Sequence, residues 1–198
     1  KDNAYITRAH RKAQTEPHER VLAPEIVQTI PNIDHRYGDG RAEVLGIAVL
    51  DAGGQPIYIL EPSSSIVVRI SVRASDDITL PIVGFMMRNH VGLDFAGTNT
   101  AREGFDLPPM APGDIYTVDF HLQLPELYAS PFSFSPAIAD GTLHNYTNCD
   151  WIDNAIVLQT GPGDDQIYGY LHLPCRVELN RCLASPAPAL THAESSIG

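Results

Sequence analysis

The chain has 198 residues, with 13 Lys and Arg against 24 Asp and Glu, for a net charge of −11. That length holds one domain with a real core plus flanking segments and leaves a second full domain crowded. The acidic balance argues against nucleic acid and anionic membrane surfaces as partners, because both need a basic face. No apolar run approaches the roughly 20 residues of a bilayer span, and residues 1–20 are too polar for a secretory signal, so no direct membrane insertion is expected. Cys149, Cys175 and Cys182 lack the paired short spacings of a zinc site. They read as reduced thiols of a cytosolic protein, with a Cys175–Cys182 bridge as the less favoured alternative.

In chain order, residues 1–35 are polar and charged. Residues 4–14 suit a short helix, but Pro17, Pro24 and Pro31 recur too often for a continuous one, so 1–35 reads as a linker or docking arm. From 41 to 160, short β-branched and aromatic runs alternate with Gly, Pro, Asn and Asp turns, the pattern of an all-β sandwich. Ile66, Val68, Ile70 and Val72 alternate with Val67, Arg69, Ser71 and Arg73. Val83, Phe85 and Met87 alternate with Gly84, Met86 and Arg88, before a turn at 89–92. Tyr116, Val118, Phe120, Leu122 and Leu124 form a third dry face, and Phe132, Phe134 and Ile138 a fourth, continued by Ile156 and Leu158. The expected fold is an immunoglobulin-like antiparallel β-sandwich over residues 36–174. Within it, 161–174 is a final strand hinged on Gly161-Pro162-Gly163, and 175–198 is a C-terminal extension ending in a loose tail.

Catalytic groupings are weak. Asp119, Glu126, Asp140, Asp150 and Asp153 are the carboxylates from which a glycosidase pair would be drawn, yet most sit in turn contexts where Asp and Glu shape turns or face solvent. No Gly-x-Ser-x-Gly elbow presents a serine. His90 with Asp94, His121, or His144 with Asp150 have no spacing that selects a metal geometry, so no catalytic residue, metal or cofactor is assigned.

Sugar binding asks for less: polar groups for hydroxyls and an apolar plate for the C–H face of a ring. Two outward sheet faces qualify. The preferred one carries Met86, Arg88, Ser133, Ser135 and Gln159, with Ala137 and Val157 beside them; the secondary one carries Arg69, Arg73, Asp119, His121 and Gln123, with Ser71. On the second face, Arg69 or Arg73 can simply pair with Asp119 across strands. Tyr58, Tyr146 and Trp151 are possible stacking plates, with Trp151 favoured as a core residue.

Residues 84–100, GFMMRNHVGLDFAGTNT, resemble the signature of the C-terminal domain of Wzt proteins, the nucleotide-binding subunits of ABC transporters that export O-antigen polysaccharide. Residues 36–51, the turn residues Gly53, Gly54 and Pro56, the pair Asp140-Gly141, and 150–155 (DWIDNA) extend the likeness over about 36–174. Cys149 departs from it, standing where a tyrosine-like residue is expected. The resemblance implies a non-catalytic, cytoplasmic domain, at the inner membrane through the transporter, that recognises O-antigen polysaccharide, often at a modified non-reducing end. It also implies an upstream ATPase domain, a membrane subunit, and a homodimer in which the terminal strand is exchanged. No phosphate-binding loop occurs in this chain, so a fragment or a standalone relative is expected. The rival expectation is a structural and dimerisation module that docks an ATPase or glycosyltransferase and binds no glycan.

Overall fold

The computed structural model describes residues 25–163, 167, 169–172, 176, 177 and 179. Among these, ten strands form and no helix does: β1 (His35–Tyr37), β2 (Ala42–Asp51), β3 (Ile59–Leu60), β4 (Ser65–Ala74), β5 (Pro81–Asn89), β6 (Asp94–Asn99), β7 (Ile115–Gln123), β8 (Pro131–Thr142), β9 (Asn145–Asp153) and β10 (Ile156–Thr160). The smaller sheet has the order β2-β4-β7. In the larger sheet β8 is central, with β5 and then β6 on one flank. Along its other flank lie β9 and β10, one after the other, edged by β1 and β3 respectively. Every pairing is antiparallel except the short one between β3 and β10.

The alternation expected from the sequence sets what each sheet buries. Ile66, Val68, Ile70 and Val72 of β4 face Val83, Phe85 and Met87 of β5 and Phe132, Phe134 and Ile138 of β8 in one apolar layer. Phe85 of the larger sheet meets Phe120 of the smaller edge-on at 5.4 Å and lies 5.7 Å from Phe134. Each such side chain contributes roughly 1.5–3 kcal/mol of burial, against the entropy of fixing the chain. Tyr116, Val118 and Leu122 of β7 are only half-buried, because β7 is an edge strand beside a cavity of about 950 Å³.

Residues 25–34 lie on the sandwich. Val27 N donates to Ser71 Oγ at 2.9 Å, Ile47 N to Thr29 O at 3.1 Å, and Asn32 N to Ala155 O at 2.9 Å. This crossing needs Gly46, since a Cβ there would sit 2.6 Å from Val27 O. Of the expected final strand, the described residues make one bridge, Leu171 to Leu127. Its flanking bonds run from Tyr128 N to Tyr170 O at 3.1 Å and from His172 N to Glu126 O at 3.0 Å. The expected helix at 4–14 and the cysteines at 175 and 182 lie outside the described residues.

Candidate functional site

Register across the larger sheet places its outward side chains in rows. One row runs Asn99, Gly84, Ala137, Trp151, Tyr37; the next holds Gly97, Met86 and Ser135; a third holds Asp94, Arg88, Ser133 and Val157. In the first row, Gly84 and Ala137 form a low floor between Asn99 and the aromatic pair, and the neighbouring Gly97 extends it. Gly84 is required for close packing as well: a Cβ there would lie 2.5 Å from that of Asn99. Over this floor opens a cavity of about 280 Å³. It is walled by Trp151 and Tyr146 on one side and by Met86, Asn99 and Arg102 on the other.

The aromatic wall exists because of a β-bulge. Ala139 pairs with Asn148 whereas Ile138 pairs with Asp150, so Cys149 is an extra residue in β9. A strict alternation would send Trp151 to the face opposite Tyr146 and Asn148. The extra residue resets the phase, and all three reach the outer face. The expectation that Trp151 is core is therefore overturned: its ring is half-buried on the outward face, stacked on Tyr37 with centroids 6.1 Å apart and planes 24° apart. Its Nε1–H donates to Asp153 Oδ1 at 2.8 Å. Asp153 in turn lies 3.4 Å from Arg88 Nη1, so the indole is held from its edge and from one face. Cys149 itself is buried in the core, and burial pushes its thiol up to about 11, which leaves it unreactive near neutrality.

Of the five preferred residues, Met86 lines this cavity. Arg88 lies in an adjacent row, with its guanidinium engaged by Asp94 at 2.8 Å as well as by Asp153; the hydrogen bond to Asp94 is the main reason its pKa is raised. Ser133 and Ser135 face outward as expected but are covered. Ser133 Oγ donates to Asn154 Oδ1 at 2.5 Å, and Ser135 Oγ accepts from Asn154 N at 2.9 Å. Gln159 is exposed on β10, next to Pro131 and outside the cavity. The residues that sequence reasoning did not put together here are Trp151, Tyr37, Asn99, Asn148 and Arg102. Only the bulge and the strand register bring them to one place.

On the secondary face, Arg69 forks onto Asp119 with bonds of 2.7 and 2.8 Å, and Arg73 pairs with Glu43. Gln123 Oε1 accepts from Ser65 Oγ at 2.8 Å, while His121 is exposed. Residues 25–29 cross this face and cover Ser71. Among the potential catalytic carboxylates, Asp140 accepts from Arg41 Nη1 at 2.7 Å and Leu80 N at 2.8 Å. Asp150 is buried against Arg36, so neither forms part of an open acid–base pair. No group of three or more His, Cys, Asp or Glu among the described residues is arranged to hold a metal ion, and no described helix is long and apolar enough to cross a membrane.

A two-sheet, antiparallel all-β sandwich with an aromatic-walled hollow on one outer face is the class of protein these features define. Residues 34–173 match the family described as the Wzt C-terminal domain, and the chain belongs to that family of O-antigen ABC transporter domains. A solved structure described as the crystal structure of the C-terminal domain of wzt superposes with a TM-score of 0.68 at 21% sequence identity. That alignment covers 78% of this chain and 92% of the other, and at this identity it speaks for the fold. No curated protein matches the chain.

Proposed function

We propose that the chain is a non-catalytic module that binds an O-antigen polysaccharide, at its non-reducing terminus, on the outer face of the larger sheet. In this reading it serves export on the cytoplasmic side, acting with the ATPase domain and the membrane subunit of the transporter. The observation that carries the reading is Trp151, a braced and half-exposed indole standing over a floor of Gly84, Gly97 and Ala137. A sugar ring can lay its C–H face on the indole because the floor leaves room, while Asn99, Asn148 and Tyr146 offer hydrogen bonds to its hydroxyls. The cavity is close to the roughly 300 Å³ lower end of ligand pockets, which suits a chain terminus rather than a long stretch of polymer.

Trp151 is the only tryptophan, so its fluorescence reports directly on the site. Titrating the wild-type chain with the O-polysaccharide of its source strain should give a saturable change in emission. Calorimetry should show affinity falling tenfold or more, about 1.4 kcal/mol, in Trp151→Ala and in Ala137→Phe, which fills the floor without touching the core. Absence of saturable heat with that polysaccharide would favour the rival, a docking module that binds no glycan.

We further propose that the chain works as a homodimer held by its C-terminal segment. The bridge between 126–128 and 170–172 consists of bonds that form equally well within or between chains, and Gly161-Pro162-Gly163 supplies a hinge.

A further inference from the structure

Arg36, Arg41, Arg69, Arg73 and Arg88 each hold a carboxylate. Arg102 differs from these five. Its backbone N–H donates to Asn99 Oδ1 at 2.8 Å, but its guanidinium makes no hydrogen bond or ion pair among the described residues. The turn that follows β6 fixes where it goes. Asn99 Oδ1 and Asn99 O tie down the backbones of Arg102 and Glu103, sending these neighbouring side chains to opposite sides. Glu103 accepts a hydrogen bond from Thr98 Oγ1 and lines the large cavity beside β7, whereas Arg102 lines the aromatic-walled cavity on the outer face.

Among the described residues, no carboxylate lines that outer-face cavity. Its remaining polar groups, from asparagine, threonine and tyrosine, suit hydroxyls. A guanidinium beside them with no partner among the described residues is a fork for a planar or tetrahedral anion, the kind of partner that Arg36, Arg41, Arg69, Arg73 and Arg88 already have. We propose that the glycan bound here carries an acidic group, a sugar carboxylate or a phosphate ester, and that Arg102 is the residue that selects it. This rests on the glycan-binding reading above and deepens it by assigning the ligand a charge.

The test probes the intact chain on an array of bacterial O-polysaccharides that are neutral, uronate-bearing or phosphorylated. Wild type should retain the acidic glycans, and the uronate and phosphate columns identify which anion is read. Arg102→Gln should weaken that retention by about ten- to a hundredfold, well beyond any loss it causes with neutral glycans, and Arg102→Lys should recover part of it. Raising the salt from about 0.05 to 0.5 M should weaken wild type more than Arg102→Gln, because only wild type makes the charged contact. Arg102 is exposed on a turn, so its replacement should leave the melting temperature unchanged. A wild type that prefers neutral glycans, or an Arg102→Gln chain that holds acidic ones equally well, overturns the assignment while glycan binding stands. A wild type that retains no glycan overturns both.

Discussion

At the scale of single residues, Asp150 is the buried carboxylate among the described residues. It is 5% exposed and accepts from Arg36 Nε at 3.0 Å, Arg36 Nη2 at 2.7 Å and Val44 N at 2.7 Å. Arg36 is on β1 and Val44 on β2, so one side chain clips the larger sheet to the smaller. Hydrogen bonding to Asp150 raises the Arg36 pKa, consistent with a tightly held ion pair. Removing the carboxylate strands Val44 N and the charged bonds of Arg36, but the Arg36 side chain is 34% exposed and solvent can take it up, so the cost is about 2–3 kcal/mol. Asp150→Ala is therefore expected to lose that much in urea unfolding, a sizeable share of the roughly 5–15 kcal/mol that keeps a domain folded. A loss below about 1 kcal/mol would mean that the apolar layer, not the clip, holds the sheets together.

At the scale of elements, the break between β9 and β10 organises the outer face. Asn154 sits in it with φ of 53°, the left-handed region that a non-glycine residue enters only when held there. It is held by four partners. Besides its bonds to Ser133 and Ser135, its Nδ2 donates to Asp34 Oδ2 at 2.7 Å and its carbonyl accepts from Asn32 Nδ2 at 3.0 Å. Asn154→Ala keeps the strain and loses the side-chain bonds, so it should destabilise by about 1–3 kcal/mol in thermal or urea melts. Asn154→Gly relieves the strain and should cost less than Asn154→Ala. Equal losses in the two variants would place the cost entirely in the hydrogen bonds.

The same break shows what was legible in the sequence. Alternation in β4, β5 and β8 reads directly, because period-two patterns survive wherever a strand is regular. The outward setting of Ser133 and Ser135 is legible on that basis. That Asn154 would cover them depends on a backbone turn about twenty residues downstream, and no local pattern encodes it. Trp151 was misplaced for a related reason, since one extra residue at Cys149 inverts every later side chain of β9, and hydrophobic periodicity cannot locate a bulge that buries a cysteine and an aspartate in succession. Arg102 was missed because an arginine in a turn looks solvated until the partners of the other arginines are known.

At the scale of the whole molecule, the smaller sheet ends in β7, whose outer edge has no strand beside it among the described residues. Open edges recruit strands, and single chains normally cover or blunt them. Along this edge runs the cavity of about 950 Å³, lined by Phe105, Leu107, Ile115 and Val118. Val177 and Leu179 of the C-terminal segment are 86% and 78% exposed. Two residues apart in the sequence, they would share one face wherever such a segment pairs as a strand. An uncovered edge and uncovered apolar side chains in one chain are complementary liabilities that a second copy can resolve, which is the physical support for the proposed dimer. Deleting residues from Gly163 onward removes the segment and leaves the ten strands intact. If exchange holds the dimer, the truncated chain should run as a folded monomer in analytical ultracentrifugation across the concentrations at which the full chain is dimeric. A truncated chain that still dimerises would place the contact on another surface, and a full chain that is monomeric throughout would leave the β7 edge to a different partner.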